Sequence, residues 1–146
     1  MAKATIVVGV DGSEGSDRAL EWCRDHAPDL DAEVVVVHAF VTPAYTVPLY
    51  DTLAVSTNVE EWRDEVKKAL ETEWCASLGG VPYRAMVMDG PPAHVILETA
   101  RAEHADLIVV GARGRGGFAE LLLGSVSHHL THHADRPVLV VPPPRD

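Results

Sequence analysis

The sequence predicts an α/β fold: an open parallel sheet, doubly wound, with helices on both faces. Two observations carry this. Strand-like and helix-like stretches alternate along the 146 residues in the order β-α-β-loop-α-β-α-β-α-β, which calls for crossovers rather than hairpins. The apolar 47% of the chain is mostly Val, Ala and Leu, with only 5% aromatic, the make-up of strands covered on both faces. The length suits one domain with a sizeable core, and residues 1–146 are read as that single domain.

Each element has its own signal. Ala4 to Val10 is β-branched and apolar and breaks at Asp11-Gly12-Ser13, as a buried strand does. Glu14 to Ala27 carries Ala19, Leu20, Trp22, Cys23 and Ala27 at helical spacing, with Ser13 as its expected N-cap and Pro28 past its end. Glu33 to Phe40, with four consecutive valines, is a second buried strand. Val41 to Val55 holds Pro43, Pro48 and two tyrosines without a period and is read as a loop. Ser56 to Leu78 is expected to be one long helix, its apolar stripe Val59, Trp62, Val66, Leu70 and Trp74, ended by Gly79-Gly80. Tyr83 to Met88 is a third strand nearer an edge. Pro91-Pro92 opens a helix running to Glu103, followed by a fourth strand over Asp106 to Gly111. Gly124 to Ala134 is the last helix and Pro137 to Val141 the fifth strand. In such sheets ligands bind beyond the strands' carboxyl ends where strand order reverses, here expected between the first and fourth strands.

Charge narrows the partners. A formal net charge of −10 repels nucleic acid and anionic membranes, so a phosphate site has to be a local positive spot. No apolar run approaches a membrane span and no leader pattern opens the chain. Two distant cysteines, Cys23 and Cys75, make no disulfide framework and read as buried small hydrophobes of a reduced, cytoplasmic protein.

The most informative stretch is the glycine-rich segment from Gly111 to Ser127. Gly111 and Gly114 let backbone N–H groups come close to an anion, and Arg113 and Arg115 add local positive charge. Gly124, Ser125, Val126 and Ser127 open a helix, where free N–H groups favour phosphate. A tight turn and a well-capped helix would use the same residues, so the segment alone leaves both readings open. It is not a P-loop, because no Gly-Lys pair exists, and the relaxed dinucleotide match Gly114 to Ala119 sits outside the βαβ context that fingerprint needs.

Gly111-x2-Gly114-x9-Gly124-Ser125 resembles the G-x2-G-x9-G-[S/T] signature of ATP-binding universal stress proteins. The likeness extends to Val8-Gly-Val-Asp-Gly-Ser13, Val37-His38-Ala39, Asp106 to Gly111 and Arg136-Pro-Val-Leu-Val-Val141, nearly the whole chain. It implies a Rossmann-like sheet of the adenine nucleotide alpha hydrolase type, strand order 3-2-1-4-5, with ATP at the switch point. On that likeness Gly111, Arg113 and Gly114 surround ribose and phosphates, Gly124, Ser125, Val126 and Ser127 hold the phosphates, and Val10, Asp11, Ala39 and Val110 lie by adenine and ribose. Asp11 either serves the ligand, through a sugar hydroxyl, adenine amine or Mg²⁺ carried on ATP, or caps the helix after it. The likeness also implies a homodimer through Pro137 to Val141.

Other candidates weigh less. His128, His129, His132 and His133 form two i, i+4 pairs but lack a third ligand, so they are expected to be an exposed polar face open to adventitious nickel or zinc. His38 reads as a hydrogen-bonded strand-end residue, His94 as a cap or a ligand neighbour, and Trp22, Trp62 and Trp74 as core. No nucleophile, base and acid fall in a recognisable order. The expected function is nucleotide-dependent regulation, ATP setting the 41–55 loop and the dimer that a protein partner reads. The alternatives are a slow Mg²⁺-dependent ATPase or self-phosphorylating enzyme, or a partner-binding protein with an empty site.

Overall fold

The computed structural model describes residues 3–41, 59–114 and 123–144. Five strands form one parallel sheet: β1 (Ala4–Gly9), β2 (Ala32–Phe40), β3 (Tyr83–Asp89), β4 (Leu107–Gly111) and β5 (Val138–Val141), in the order β3-β2-β1-β4-β5. The helices are α1 (Glu14–His26), α2 (Val59–Thr72), α3 (Pro92–Ala102) and α4 (Ser125–His133). The pairing runs from Ala4 opposite Ala32 and Ile6 opposite Leu107 to Val34 opposite Tyr83 and Ile108 opposite Val138.

Alternation explains the valine runs. Ile6, Val8, Val34, Val36 and Val109 face one side with Leu20 and Cys23 of α1 and with Leu70 and Leu78. Val7, Val35, Val37, Ile108 and Val110 face the other with Val95, Ile96 and Ala100 of α3 and Leu130 of α4. A strand buried on both faces has no polar face to alternate with. Each such side chain contributes about 1.5–3 kcal/mol of burial.

Local chemistry sets the helix ends. Ser13 Oγ accepts the Ser16 N–H at 3.2 Å as the N-cap of α1, while Pro92 takes the first turn of α3, where its missing N–H is not needed. Arg136 donates through Nη1 to the carbonyls of Ala100 and Ala105, both at 2.9 Å, pinning the end of α3 to the approach to β5.

Two expectations are corrected. The helix expected to reach Leu78 ends at Thr72, and Trp74–Leu78 is a separate 3₁₀ turn. Thr72 Oγ1 donates back to the Lys68 carbonyl at 2.7 Å, Ala76 N–H then bonds three residues back to Glu73, and Gly79 closes the turn at φ 60°. Trp62 is not core but 47% exposed, edge-on to Phe40 at the end of β2 with ring centres 5.5 Å apart. Trp22 and Trp74 are partly buried against the first core face. The expected loop beyond Val41 and the start of the long helix at 56–58 lie outside the described residues.

Candidate functional site

β1 and β4 are neighbours whose crossovers leave on opposite faces of the sheet, β1 into α1 and β4 towards α4. Beyond their carboxyl ends opens a cavity of about 560 Å³. That is room for a ligand of nucleotide size.

Backbone packs on backbone at its mouth. A Cβ on Gly111 would come within 2.9 Å of Gly15 Cα, and one on Gly15 would strike the carbonyl of Arg113. The first turn of α1 therefore rests directly on the chain leaving β4. Sequence reading missed Gly15, although a glycine inside a helical pattern costs about 0.5–1 kcal/mol and so marks a close approach. Gly9 has a similar role on the floor: a Cβ there would run into Ile96, which lies over β1 from α3.

The chain from β4 into α4 is tied to itself. The carbonyl of Ala112 accepts both the Gly124 N–H and the Ser127 hydroxyl, the latter at 2.8 Å and buried. Ser127 thus spends its proton within the protein, which leaves its hydroxyl an acceptor and its backbone N–H the group available to an anion. Gly124 is the N-cap of α4, and no side chain caps that helix among the described residues. The first-turn N–H groups of Ser125, Val126 and Ser127 have no acceptor one turn earlier in the helix, and all three residues line the cavity. α1 differs, since Ser13 already caps it. Of the two helices opening here, only α1 carries a side-chain cap among the described residues.

Asp11 stands across from this end. Its Oδ1 accepts the Ser13 N–H at 2.9 Å, and Oδ2 occupies the space where a Cβ on Gly114 would go. It is the sole carboxylate among the described cavity residues. Val10 is buried and held from both sides by β2: its N–H reaches the Val37 carbonyl at 3.0 Å and its carbonyl accepts from His38 Nδ1 at 2.8 Å.

Of the residues expected from sequence, Val10, Asp11, Val110, Gly111, Arg113, Gly114, Gly124, Ser125, Val126 and Ser127 all line the cavity. Ala39 does not; it packs half-buried against the second core face. His94 is exposed and also off the lining, whereas Pro92 and Ile96 of the same helix are on it. His128 lines the cavity too. Arg115 lies outside the described residues. Among the described residues no cluster of three or more His, Cys, Asp or Glu is arranged to hold a metal ion, and no helix is long and apolar enough to cross a membrane.

The sequence profile of the Universal stress protein family matches residues 4–142. The chain belongs to that family. A universal stress protein of Bacillus subtilis is 37% identical over 146 residues, covering 93% of this chain and 97% of its own length. A universal stress protein of Lactobacillus plantarum superposes with a TM-score of 0.79 over 97% of this chain and 99% of that one, at 22% identity, and so shares the fold. A universal stress protein solved in complex with cAMP superposes at 0.63 with 26% identity, covering 97% of this chain and 98% of its own. The five-stranded order β3-β2-β1-β4-β5 is the family architecture, with the glycine segment at its switch point.

Proposed function

We propose that this universal stress protein binds ATP in the cavity between β1 and β4 and acts as a nucleotide-dependent regulator. The observation that carries the reading is the convergence of the Gly111–Gly114 loop, Arg113 and the uncapped start of α4 on one cavity. Phosphates go to the N–H groups of Ser125, Val126 and Ser127, where helix dipole and unsatisfied donors act together. Adenine and ribose go to the Val10, Asp11 and Val110 side, apolar but for one carboxylate. The relative bound to cAMP supports an adenine nucleotide, and a cavity of about 560 Å³ has the size for one with a polyphosphate.

Asp11 fits a Mg²⁺ ion carried on ATP, being the sole anionic group on the described lining. Bound Mg²⁺ would neutralise phosphate charge. Hydrolysis is the second reading, and that same carboxylate favours it; yet Asp11 already holds the Ser13 N–H, which suits a fixed contact better than proton transfer. The open edge of β5, in a compartment that keeps Cys23 and Cys75 reduced, offers the dimer contact. The test is to denature freshly purified protein and assay released nucleotide by absorbance and mass spectrometry, then titrate ATP with Mg²⁺. About one ATP per chain, or saturable binding, supports the reading; neither would end it.

A further inference from the structure

We propose that His128 and His132 form a two-histidine seat for a borderline transition metal such as Zn²⁺, and that the seated ion takes further ligands from phosphate oxygens of the cavity's occupant. The second half of this proposal rests on the nucleotide reading above; the first half does not.

The two residues are one helical turn apart on α4, and their rings lie 4.4 Å apart between centres, tilted by 52°. Two imidazoles bound to one tetrahedral ion through bonds of about 2.0–2.1 Å place their ring centres about 5 Å apart. Small side-chain rotations bring the pair to that geometry, and both residues are exposed and able to make them. His128 lines the cavity together with Ser125, Val126 and Ser127, so an ion seated on it stands at the phosphate end.

Two donors leave at least two positions of a tetrahedral ion open. No third protein donor completes the site among the described residues. The seat is accordingly weak by itself and completed by a ligand that brings anionic oxygen. Linkage then requires reciprocity: the factor by which Zn²⁺ tightens nucleotide is the factor by which nucleotide tightens Zn²⁺. His129 and His133 make a second pair with the same 4.4 Å spacing, but neither lines the cavity. They supply an internal control for chelation without coupling.

The experiment is calorimetric titration of the full chain with Zn²⁺ alone, with ATP in chelator-treated buffer, and with ATP at fixed Zn²⁺. The wild type is compared with His132→Asn and with the double variant His129→Asn/His133→Asn. His132 is off the cavity lining, so its variant keeps the metal-free ATP affinity. The expected result is at least a tenfold Zn²⁺-dependent gain in ATP affinity, kept in the double variant and lost in His132→Asn, with a matching gain for Zn²⁺. An equal Zn²⁺ effect in His132→Asn, or zinc bound by the wild type without any change in ATP affinity, overturns the proposal. If ATP binds neither in metal-free buffer nor with Mg²⁺, the nucleotide reading fails; zinc binding to the His129→Asn/His133→Asn protein alone, and its loss when His132→Asn is added, still tests the seat, and zinc binding unaffected by that addition sinks it.

Discussion

His38 Nδ1 donates a 2.8 Å hydrogen bond to the carbonyl of Val10, joining the end of β2 to the first residue beyond β1. The same imidazole meets Trp74 edge-on at 5.1 Å, so it is held by packing as well as by its bond. Through Val10 it fixes where the chain turns into Asp11, and hence one wall of the cavity. His38→Leu leaves the buried Val10 carbonyl without that partner, at a cost of about 1–2 kcal/mol. Urea denaturation should show that loss, and ATP affinity should fall several-fold with it. Affinity equal to wild type would mean the bond serves stability alone.

Two glycines at the cavity make opposite predictions. A methyl at Gly15 meets the backbone carbonyl of Arg113, which has nowhere to go, so Gly15→Ala should lose stability by about 2 kcal/mol despite its better helix propensity. Among the described residues, a Cβ at Gly114 meets no backbone but the end of the Asp11 side chain, which yields at the cost of its bond to the Ser13 N–H. Gly114→Val should therefore melt close to wild type yet bind ATP far more weakly. Circular dichroism melts and an ATP titration on both variants separate the two cases, and a Gly114→Val protein that binds normally would remove that loop from the site.

Much of this was legible because local and global signals agree. Residues such as Val34 to Val37 could only be a strand covered on both faces, and Ser13 could hardly avoid capping the helix it precedes. The glycine spacing from Gly111 to Gly124 pointed to residues that line one cavity, because a close backbone approach leaves a visible gap in side chains. Features that depend on where distant segments meet were not legible. The Gly15 contact with Arg113, Ile96 over Gly9, and the Ser127 bond to Ala112 are all tertiary. The break at Thr72 was hidden because Trp74, Cys75 and Leu78 continue an apolar pattern through a 3₁₀ turn, and Trp62 keeps the helical period while standing exposed against the ring of Phe40.

The two thiols should be inert while the protein is folded. Burial pushes Cys23 up to about 12, and burial, against a smaller hydrogen bond from Tyr83, raises Cys75 to about 11. Neither gives appreciable thiolate at pH 8, so a disulfide reagent should label both only after urea is added. Raised folded values mean that above pH 9 the unfolded chain releases protons the folded chain keeps. Stability is then fully present below pH 9 and falls towards pH 11–12, by up to about 1.4 kcal/mol per pH unit for each thiol. Denaturation midpoints in a Cys23→Ala/Cys75→Ala variant should decline less steeply over that range; an equal decline would place the alkaline loss elsewhere.

The outer edge of β5 gives the test of the dimer. Ile108 N–H bonds to the Pro137 carbonyl and Ala112 N–H to the Val141 carbonyl, so the odd-numbered residues of β5 turn their backbone groups towards β4. By alternation Val138 and Val140 turn theirs outward, along an edge whose four residues are all half-buried and apolar. Proline is tolerated where a strand's N–H faces away from its sheet, so Val140→Pro removes an outward donor while sparing the β4 ladder. If two chains pair along this edge, sedimentation should show a dimer for the wild type and a monomer with an unchanged far-ultraviolet spectrum for Val140→Pro. A dimer that survives the substitution would move the interface away from β5.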